Sequence, residues 1–281
     1  MAFDRVIPNQ DGAGVIDLVG HGVDPSWLGE RVWVHMAQWR RPSGTAAEWA
    51  VVPVDRVARL PDSYSYALGA CLGIPWLTAH LAVSKLGAIA GRDVLVTGGS
   101  GAVAIYAIQI AAAGRARVIT TVGSERAAAL VSEAGASVAL DFRQDDLASR
   151  IRRASGGRGI DRVIESRLSA NTTLYAGVLA QQARIVVYGT AHKTADLDVS
   201  AAIRLQSRLQ FIYAYAMPRG ARRRATEDLA AAEASQGLVH LPITTFPLES
   251  IADAHEAVER GLNGHRAVID MTATTHGGGA S

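Results

Sequence analysis

A glycine-rich turn is the segment of this chain whose residue types could most directly bind a charged ligand. The run Gly98-Gly99-Ser100-Gly101 follows the apolar residues 94–96 and precedes a helix-period pattern that begins near Val103. Together with Ala104, it fits the spacing G-x-G-x-x-G/A. In such a turn, backbone N–H groups can approach a pyrophosphate, and the helix N-terminus adds a partial positive charge. The turn predicts dinucleotide binding, and an ordinary glycine turn of an α/β protein is the alternative.

The tip of the next strand, Arg117–Val122, indicates which dinucleotide is bound. NAD-binding units usually carry Asp or Glu about 20 residues after the glycine turn, where the acid holds the ribose 2′-OH. Residues 120–124 contain no acid, and Gly123, Ser124 and Arg126 occupy the region that would meet the ribose. A hydroxyl and a guanidinium suit a 2′-phosphate because that anion accepts charge-assisted hydrogen bonds. The sequence therefore favours NADPH over NADH.

Three side chains are candidate donors for the chemistry that NADPH supports. Hydride transfer to a carbonyl or quinone places negative charge on an oxygen, which a hydrogen-bond donor stabilises. Tyr188, Tyr213 and His35 are candidate catalytic donors, and a core or interface role is the alternative for each. No Ser-His-Asp or Cys-His arrangement is readable in the sequence, so hydrolysis is not supported.

The elements that must position these residues alternate between strand and helix. The predicted strands of this part are the glycine-turn strand at 93–96 and five others: 117–122, 137–140, 161–165, 183–188 and 209–214. Interleaved helices make this a doubly wound parallel sheet of the α/β Rossmann class. Short β segments at 14–19, 31–35 and 48–52 predict a small barrel or sandwich before it.

Composition limits the classes of function. The chain has 281 residues, of which 49% are hydrophobic and 19% charged, and its formal net charge is +2. This balance gives no reason to expect a nucleic-acid or membrane partner, and no signal peptide or membrane-spanning run is readable. The single cysteine excludes an intrachain disulfide. We expect a cytoplasmic protein that acts on a small molecule.

Several segments together carry a family resemblance. They are PNQDGAGVIDLVG, LGERVWV, GTAAEWAVVPVDRVARLPD, ACLGIPWLTAH, DVLVTGGSGAVA, SERAAALVSEAGA and FPLESIADAHEAVERG. With them the chain resembles the medium-chain dehydrogenase/reductase superfamily, in its zinc-free, zeta-crystallin-like NADPH:quinone oxidoreductase branch. The resemblance implies a GroES-like catalytic domain at 1–77 and 218–281 and a Rossmann domain at 78–217. It also implies an active site in the cleft between them and a homodimer, which we place at the predicted edge strand near Leu209 to Ala214.

The same resemblance implies roles for individual residues. The implied cofactor-binding set, with the residues of the turn and the strand tip included, is Thr78, Gly98, Gly99, Ser100, Gly101, Ala102, Val103, Gly123, Ser124, Arg126, Phe142, Ser166, Tyr188, Gly189, Thr190 and Arg266. Zinc is not expected, because Gln10-Asp11 stand where zinc enzymes of the superfamily place His-Glu. Relatives carry further strands before the segment equivalent to Pro8, so we expect an N-terminally shortened GroES-like domain.

The resemblance implies reduction of a quinone or an α,β-unsaturated carbonyl by NADPH. Two alternatives stay open: a degenerate NADPH-binding protein without catalysis, and a remodelled enzyme of a biosynthetic pathway. The segment Glu165–Ser169 places charge and bulk where relatives tend to be small. It could either reshape the nicotinamide pocket or have no effect.

Overall fold

The computed structural model describes residues 3–262 and 264–272, which divide into two compact units. Unit 1 comprises Met1–Pro75, Pro218–Ala230 and Leu241–Ser281, and unit 2 comprises Trp76–Met217 and Ala231–His240. Among the described residues, no helix has the length and apolarity that crossing a membrane would require.

The described strands and helices are numbered in chain order. The strands are β1 Gly12–Val15, β2 Arg31–Val34, β3 Val57–Arg59, β4 Asp93–Val96, β5 Arg117–Val122, β6 Val138–Asp141, β7 Ile160–Glu165, β8 Leu179–Val187, β9 Arg208–Phe211, β10 Ile243–Pro247 and β11 Arg266–Asp270. The helices are α1 Tyr66–Gly69, α2 Gly73–Leu86, α3 Ala102–Ala113, α4 Glu125–Glu133, α5 Leu147–Ala154, α6 Leu168–Val178, α7 Val199–Leu205, α8 Arg219–Gln236 and α9 Ile251–Glu259.

Unit 2 is built on a six-stranded parallel sheet with the order β6-β5-β4-β7-β8-β9. This order is that of a doubly wound Rossmann sheet, so the predicted α/β fold class is confirmed. The strand order reverses between β4 and β7, which makes the carboxyl ends of these two strands the topological switch point. Ligands of open α/β sheets bind at that point.

The central strands of unit 2 are apolar because both faces of the sheet are covered. Every residue of β4 is buried, and so are all but the first residue of β5. A buried cluster on one face includes Leu95, Ile119 and Val163. Such continuous apolar runs are typical of parallel strands, and they explain why β4 and β5 can be read directly from the sequence.

Unit 1 contains an antiparallel sheet β1-β2-β3 and a separate parallel pair, β10 and β11. Two sequence-based expectations fail here. Glu48–Val52 is not a strand, and the third strand is instead Val57–Arg59. The first strand is Gly12–Val15 rather than 14–19, because it pairs with β2 only as far as Val15.

Candidate functional site

The glycine turn after β4 is held in place by the end of β5. Gly98 has φ +65°, a conformation that glycine adopts at no steric cost. Its N–H donates to Thr121 Oγ1 at 3.0 Å, and the Gly99 N–H donates to the Thr121 carbonyl at 2.8 Å. Thr121 thus fixes the turn with its side chain and its backbone together. The sequence reading used this region only to note that it lacks an acid.

Gly99 must be glycine because the turn packs tightly against the sheet. A Cβ at this position would lie 2.3 Å from Thr120 Oγ1 and 3.1 Å from a methyl group of Val131. Thr120 is fully buried, and its hydroxyl is committed to the Val96 carbonyl at 2.7 Å. Thr120 therefore cannot move away from such a Cβ without losing this hydrogen bond. Without side chains at the glycines, the backbone N–H groups of the turn can approach a pyrophosphate closely.

Helix α3 begins at this turn without a side-chain cap. Gly101 is the N-cap residue and has no side chain that could accept from the first turn of the helix. The first N–H groups of a helix, here those of Ala102 and Val103, have no intrahelical acceptor. With Ser100 beside them, they form a site suited to an anion, and the helix dipole adds to its positive potential. These residues are the ones that the sequence pattern selected.

The tip of β5 presents the second group of predicted residues. Ser124 is the N-cap of α4 and accepts a hydrogen bond from the Ala127 N–H at 3.2 Å, which leaves its own O–H available as a donor. Arg126 is exposed in the first turn of the same helix. A Cβ on Gly123 would lie 3.0 Å from the ring of Phe142, which is 54% exposed. The structure brings these four residues together on one side of the glycine turn.

A buried carboxylate organises the other side of the switch point. Glu165, the last residue of β7, is fully buried. It accepts hydrogen bonds from Thr97 Oγ1 at 2.9 Å, Asn171 Nδ2 at 2.9 Å, the Arg167 N–H and the Tyr175 hydroxyl. Burial raises the pKa of Tyr175 well above its ordinary value, and the adjacent Glu165 adds to this. The charge at Glu165 is therefore part of a satisfied network that joins the ends of β4 and β7.

Ser166 lies at the centre of that junction. Its N–H donates to Thr97 Oγ1 at 3.1 Å, and its hydroxyl donates to the Thr97 carbonyl at 3.3 Å. A Cβ on Gly98 would lie 3.1 Å from Ser166 Oγ, so Ser166 touches the glycine turn. Gly189 approaches from β8, since a Cβ there would lie 2.4 Å from the Ser166 carbonyl oxygen. Sequence reasoning found Ser166 and Gly189, but it left the effect of Glu165 open.

Tyr188 and Thr190 flank Gly189 at the carboxyl end of β8. The Tyr188 side chain is half-buried, and the backbone N–H of Tyr188 donates to the Glu165 carbonyl at 3.0 Å. The pKa of Tyr188 is raised to about 12, chiefly by burial. A hydrogen bond with Ser166 opposes this rise, and the nearby Glu165 contributes to it. Thr190 is exposed, and its hydroxyl donates to the His192 carbonyl at 2.8 Å.

Two further predicted residues belong to unit 2, Thr78 and Tyr213. Thr78 is buried in α2. Tyr213 lies two residues after β9, is 55% exposed and stacks at an angle on Tyr215 with ring centroids 5.2 Å apart.

His35 and Arg266 belong to unit 1. His35 is buried, and its Nδ1 has no hydrogen-bond partner among the described residues. The pKa of His35 is lowered to about 4, chiefly by burial. The charges of Arg222 and Arg56 contribute to the lowering, and Asp55 opposes it. Arg266 begins β11, and its charge acts on Asp11 and Cys71.

Asp11 is held at the start of α2, within unit 1. Its Oδ2 accepts from the Ile74 N–H at 2.8 Å, and a Cβ on Gly73 would lie 2.2 Å from its carboxyl group. Burial raises the pKa of Asp11 to about 7, while the Ile74 hydrogen bond and the Arg266 charge act in the opposite direction. In this position the carboxylate caps a helix.

Comparison with known proteins agrees with the fold and the turn. A family model described as zinc-binding dehydrogenase matches residues 102–231. The quinone oxidoreductase of Mus musculus is 30% identical over 270 residues, covering 90% of this chain and 76% of that protein. The chain belongs to the medium-chain dehydrogenase/reductase superfamily, in its quinone oxidoreductase branch. The human quinone oxidoreductase is 29% identical over 255 residues and is covered to the same extent, 76%.

A solved structure of the same family gives the same architecture. A mycobacterial protein complexed with NADPH superposes with a TM-score of 0.78 and 26% identity, covering 90% of this chain and 79% of that one. The family model's description mentions zinc, an ion that needs several converging side-chain ligands. In residues 3–262 and 264–272, no three His, Cys, Asp or Glu side chains are grouped so that they could hold a metal. Zinc sites use three or four such ligands, so the described residues do not fit a zinc ion.

Proposed function

We propose that this protein is an NADPH-dependent oxidoreductase that transfers a hydride to a quinone or an α,β-unsaturated carbonyl compound. The observation that carries the proposal is the turn at Gly98–Gly101. Its close packing on Thr120 and the uncapped start of α3 form a backbone cradle for a pyrophosphate. The relatives named quinone oxidoreductase support the reaction class.

The cofactor would be held along the carboxyl edge of the sheet in unit 2. The turn residues, with Ala102 and Val103, would bind the pyrophosphate. Ser124 and Arg126 would hold the 2′-phosphate, with Gly123 and Phe142 beside them. The NADPH complex of the mycobacterial relative supports NADPH as the cofactor. The part of the edge between β7 and β8 would be lined by Ser166, Gly189 and Thr190. Thr78 and Arg266 would contact the cofactor, as the family resemblance implies.

Bound NADPH supplies the hydride, and the protein must stabilise the negative charge that develops on the acceptor's oxygen. Tyr188 is the strongest candidate for this task. Its phenol is protonated at neutral pH, so it can donate a hydrogen bond to that oxygen. The Tyr188 backbone is held by its N–H, which donates to the Glu165 carbonyl, and the adjacent Ser166 N–H donates to Thr97 Oγ1. His35, buried and neutral at pH 7, and the exposed Tyr213 are less suited to act as proton donors.

The proposal extends to the organisation of the chain. Residues 78–217 would form the cofactor domain, and residues 1–77 with 218–281 the catalytic domain of GroES-like type. The protein would work in the cytoplasm as a homodimer without a bound metal.

A paired experiment tests the function against the non-catalytic alternative. NADPH binding is measured by titration, and NADPH oxidation is measured with a panel of quinones and enals. We expect binding together with turnover of at least one acceptor class. A Tyr188→Phe variant should bind NADPH as tightly as the wild type but lose roughly 10²-fold or more in kcat. Tight binding with no turnover of any acceptor would instead identify a non-catalytic NADPH-binding protein.

A further inference from the structure

Three arginines stand side by side at the amino edge of the sheet in unit 2. Arg162 of β7 is in register with Arg184 of β8, which is in register with Arg208 of β9. Neighbouring strands lie about 4.8 Å apart, so the row spans roughly 10 Å. Register-paired residues point to the same face of a sheet, so the three side chains share a face. We refer to Arg162, Arg184 and Arg208 as the arginine row.

The row costs stability in the absence of a ligand. Like charges opposite each other on neighbouring strands are destabilising. Desolvation lowers the pKa of Arg162, and the charges of Arg184, Arg92 and Arg208 lower it further, while Asp161 raises it. Arg162 is therefore partly buried among cations.

The nearby acid is already engaged. Asp161 binds Arg92 Nη1 at 3.1 Å through one oxygen and accepts from the Asp93 N–H at 3.0 Å through the other. Asp161 and Arg162 are consecutive residues of one strand, so their side chains point to opposite faces of the sheet. The Asp161 carboxylate is held by Arg92 and the Asp93 N–H, and it offsets the positive charges around Arg162 only in part.

The guanidinium groups of the row also have open hydrogen-bonding capacity. Arg162 donates through Nη1 to the Asp161 carbonyl at 2.8 Å, but its buried Nε has no partner among the described residues. Within the same part of the chain, Arg184 and Arg208 form no hydrogen bond or ion pair through their side chains. Arginines at this edge often cap helix C-termini, as Arg152 does by donating to the carbonyls of Gly157 and Gly177. Arg184 lies close to such an end, because a Cβ on Gly87, the residue that follows α2, would lie 2.8 Å from Arg184 Nη1. Among the described residues, however, none of the three guanidiniums donates to a helix carbonyl.

An irregularity in the sheet brings the first two members of the row together. Between the pairs Ile160–Leu179 and Arg162–Arg184 the register shifts, because β8 carries three more residues than β7. Gln182, inside this irregularity, has φ +57°, an uncommon conformation for a residue with a side chain. Bulges of this kind re-aim side chains and recur next to functional sites. Here the shift places Arg184 opposite Arg162.

We propose that the arginine row is a binding site for a small anion that carries two or more phosphate groups. Three guanidiniums in a line match a multivalent anion, since each can donate paired charge-assisted hydrogen bonds to phosphate oxygens. A length of roughly 10 Å suits an inorganic polyphosphate or a nucleoside triphosphate. Arg162 is four residues from Ser166, about 13 Å along an extended strand, so this site is separate from the cofactor edge. It does not depend on the proposed function.

The test measures anion binding at constant ionic strength in chloride buffer. Tripolyphosphate, adenosine triphosphate and inorganic phosphate are titrated into the wild type, Arg184→Gln, Arg208→Gln and a control, Arg223→Gln. Arg223 is an exposed residue of α8 in unit 1, so the control removes the same charge elsewhere. We expect tripolyphosphate to bind the wild type and the control alike and to bind each row variant at least about tenfold more weakly. Similar affinities for tripolyphosphate and adenosine triphosphate would identify the phosphates as the recognised group, and a clear preference for the latter would identify a nucleotide.

Two further measurements keep the test decisive. Tripolyphosphate binding should persist when NADPH is saturating, because the two sites lie at opposite edges. Without anion, Arg208→Gln should melt at a higher temperature than the wild type, because a repulsive charge is gone, and the phosphate-induced rise in melting temperature should shrink. Absence of wild-type binding, displacement by NADPH, or row variants that bind like Arg223→Gln would each overturn the proposal. If NADPH itself fails to bind, the comparison of the arginine variants still decides the question.

Discussion

Among single residues, Arg126 decides the choice of cofactor in the proposed function. It is exposed beside the Ser124 cap of α4, at the position where a 2′-phosphate would lie. Arg126→Ala removes a charge-assisted contact, so we expect NADPH affinity to fall roughly 10- to 100-fold. NADH lacks that phosphate, so its affinity should barely change. Titration of both cofactors checks this, and equal losses would show that Arg126 acts on the fold and not on the phosphate.

His35 should give the protein a pH-dependent stability. Burial holds the pKa of His35 near 4, below the ordinary value of 6.5. Between these values the unfolded chain binds a proton that the native state does not. The contribution of His35 to stability therefore falls as the pH drops from about 6.5 to about 4, and it levels off below that. The full difference is about 3 kcal/mol.

The measurement is the free energy of unfolding against pH for the wild type, His35→Leu and His21→Leu. The wild type minus His35→Leu difference in unfolding free energy should fall as the pH drops through that window. Taking the difference cancels the opposing contribution of Asp11, whose pKa burial raises to about 7. His21 is exposed and serves as the matched histidine control. If the difference between the wild type and His35→Leu stays constant between pH 4 and 6.5, the buried, neutral state of His35 is ruled out.

The sequence revealed some residues of the site and concealed others. The glycines were found because their spacing is a backbone requirement, which the sequence shows directly. Thr121 and Glu165 were not recognised as supports of the turn, because their partners are distant in sequence. A polar residue at the end of a buried strand reads the same whether it binds a ligand or another loop. Only the pairing of strands tells the two cases apart.

At the level of elements, the packing of the β4–α3 turn on β5 is the feature most open to test. Gly99→Ala would place a Cβ 2.3 Å from Thr120 Oγ1. We expect a loss of about 1–3 kcal/mol in unfolding free energy, together with weakened NADPH binding, because the turn must shift. Gly177→Ala is the control, since nothing lies within 4 Å of its Cβ in α6 and alanine favours a helix by about 0.5–1 kcal/mol. A Gly99→Ala protein with wild-type stability and affinity would contradict the packing described.

Elements were predictable to different degrees for a physical reason. The strands β4 and β5 are buried on both faces, so their runs of buried residues mark their bounds. The strands of unit 1 are short and half-exposed, and their alternation is weak, which is why Glu48–Val52 was mistaken for one of them. The pairing of β10 with β11 was not expected, because the two strands are separated by α9.

For the whole molecule, self-association through β9 stays a prediction. Strand β9 is the edge of the sheet, and Leu209 and Phe211 are 37% and 66% exposed on it. An exposed apolar edge favours pairing with a symmetry mate. Phe211→Glu should therefore convert a dimer to a monomer in light scattering. Proline at Ile212 would be a poorer test, because the Ile212 N–H donates to the Val187 carbonyl at 2.9 Å within the chain.

Val258→Glu supplies the control for that experiment, since Val258 is 56% exposed on α9 in unit 1. It should leave the dimer intact. A monomeric wild type at micromolar concentration, or a Phe211→Glu protein that stays dimeric, would exclude the β9 interface.

Hydride transfer from NADPH by this chain can be measured in a single turnover. Enzyme in excess is mixed anaerobically with NADPH that carries deuterium at the reactive carbon and with a quinone or an enal. We expect NADPH to be consumed in stoichiometry with reduced acceptor, faster than NADH is, and deuterium to appear on the β-carbon of the reduced enal. NADPH that binds but is never oxidised by any quinone or enal would contradict this expectation.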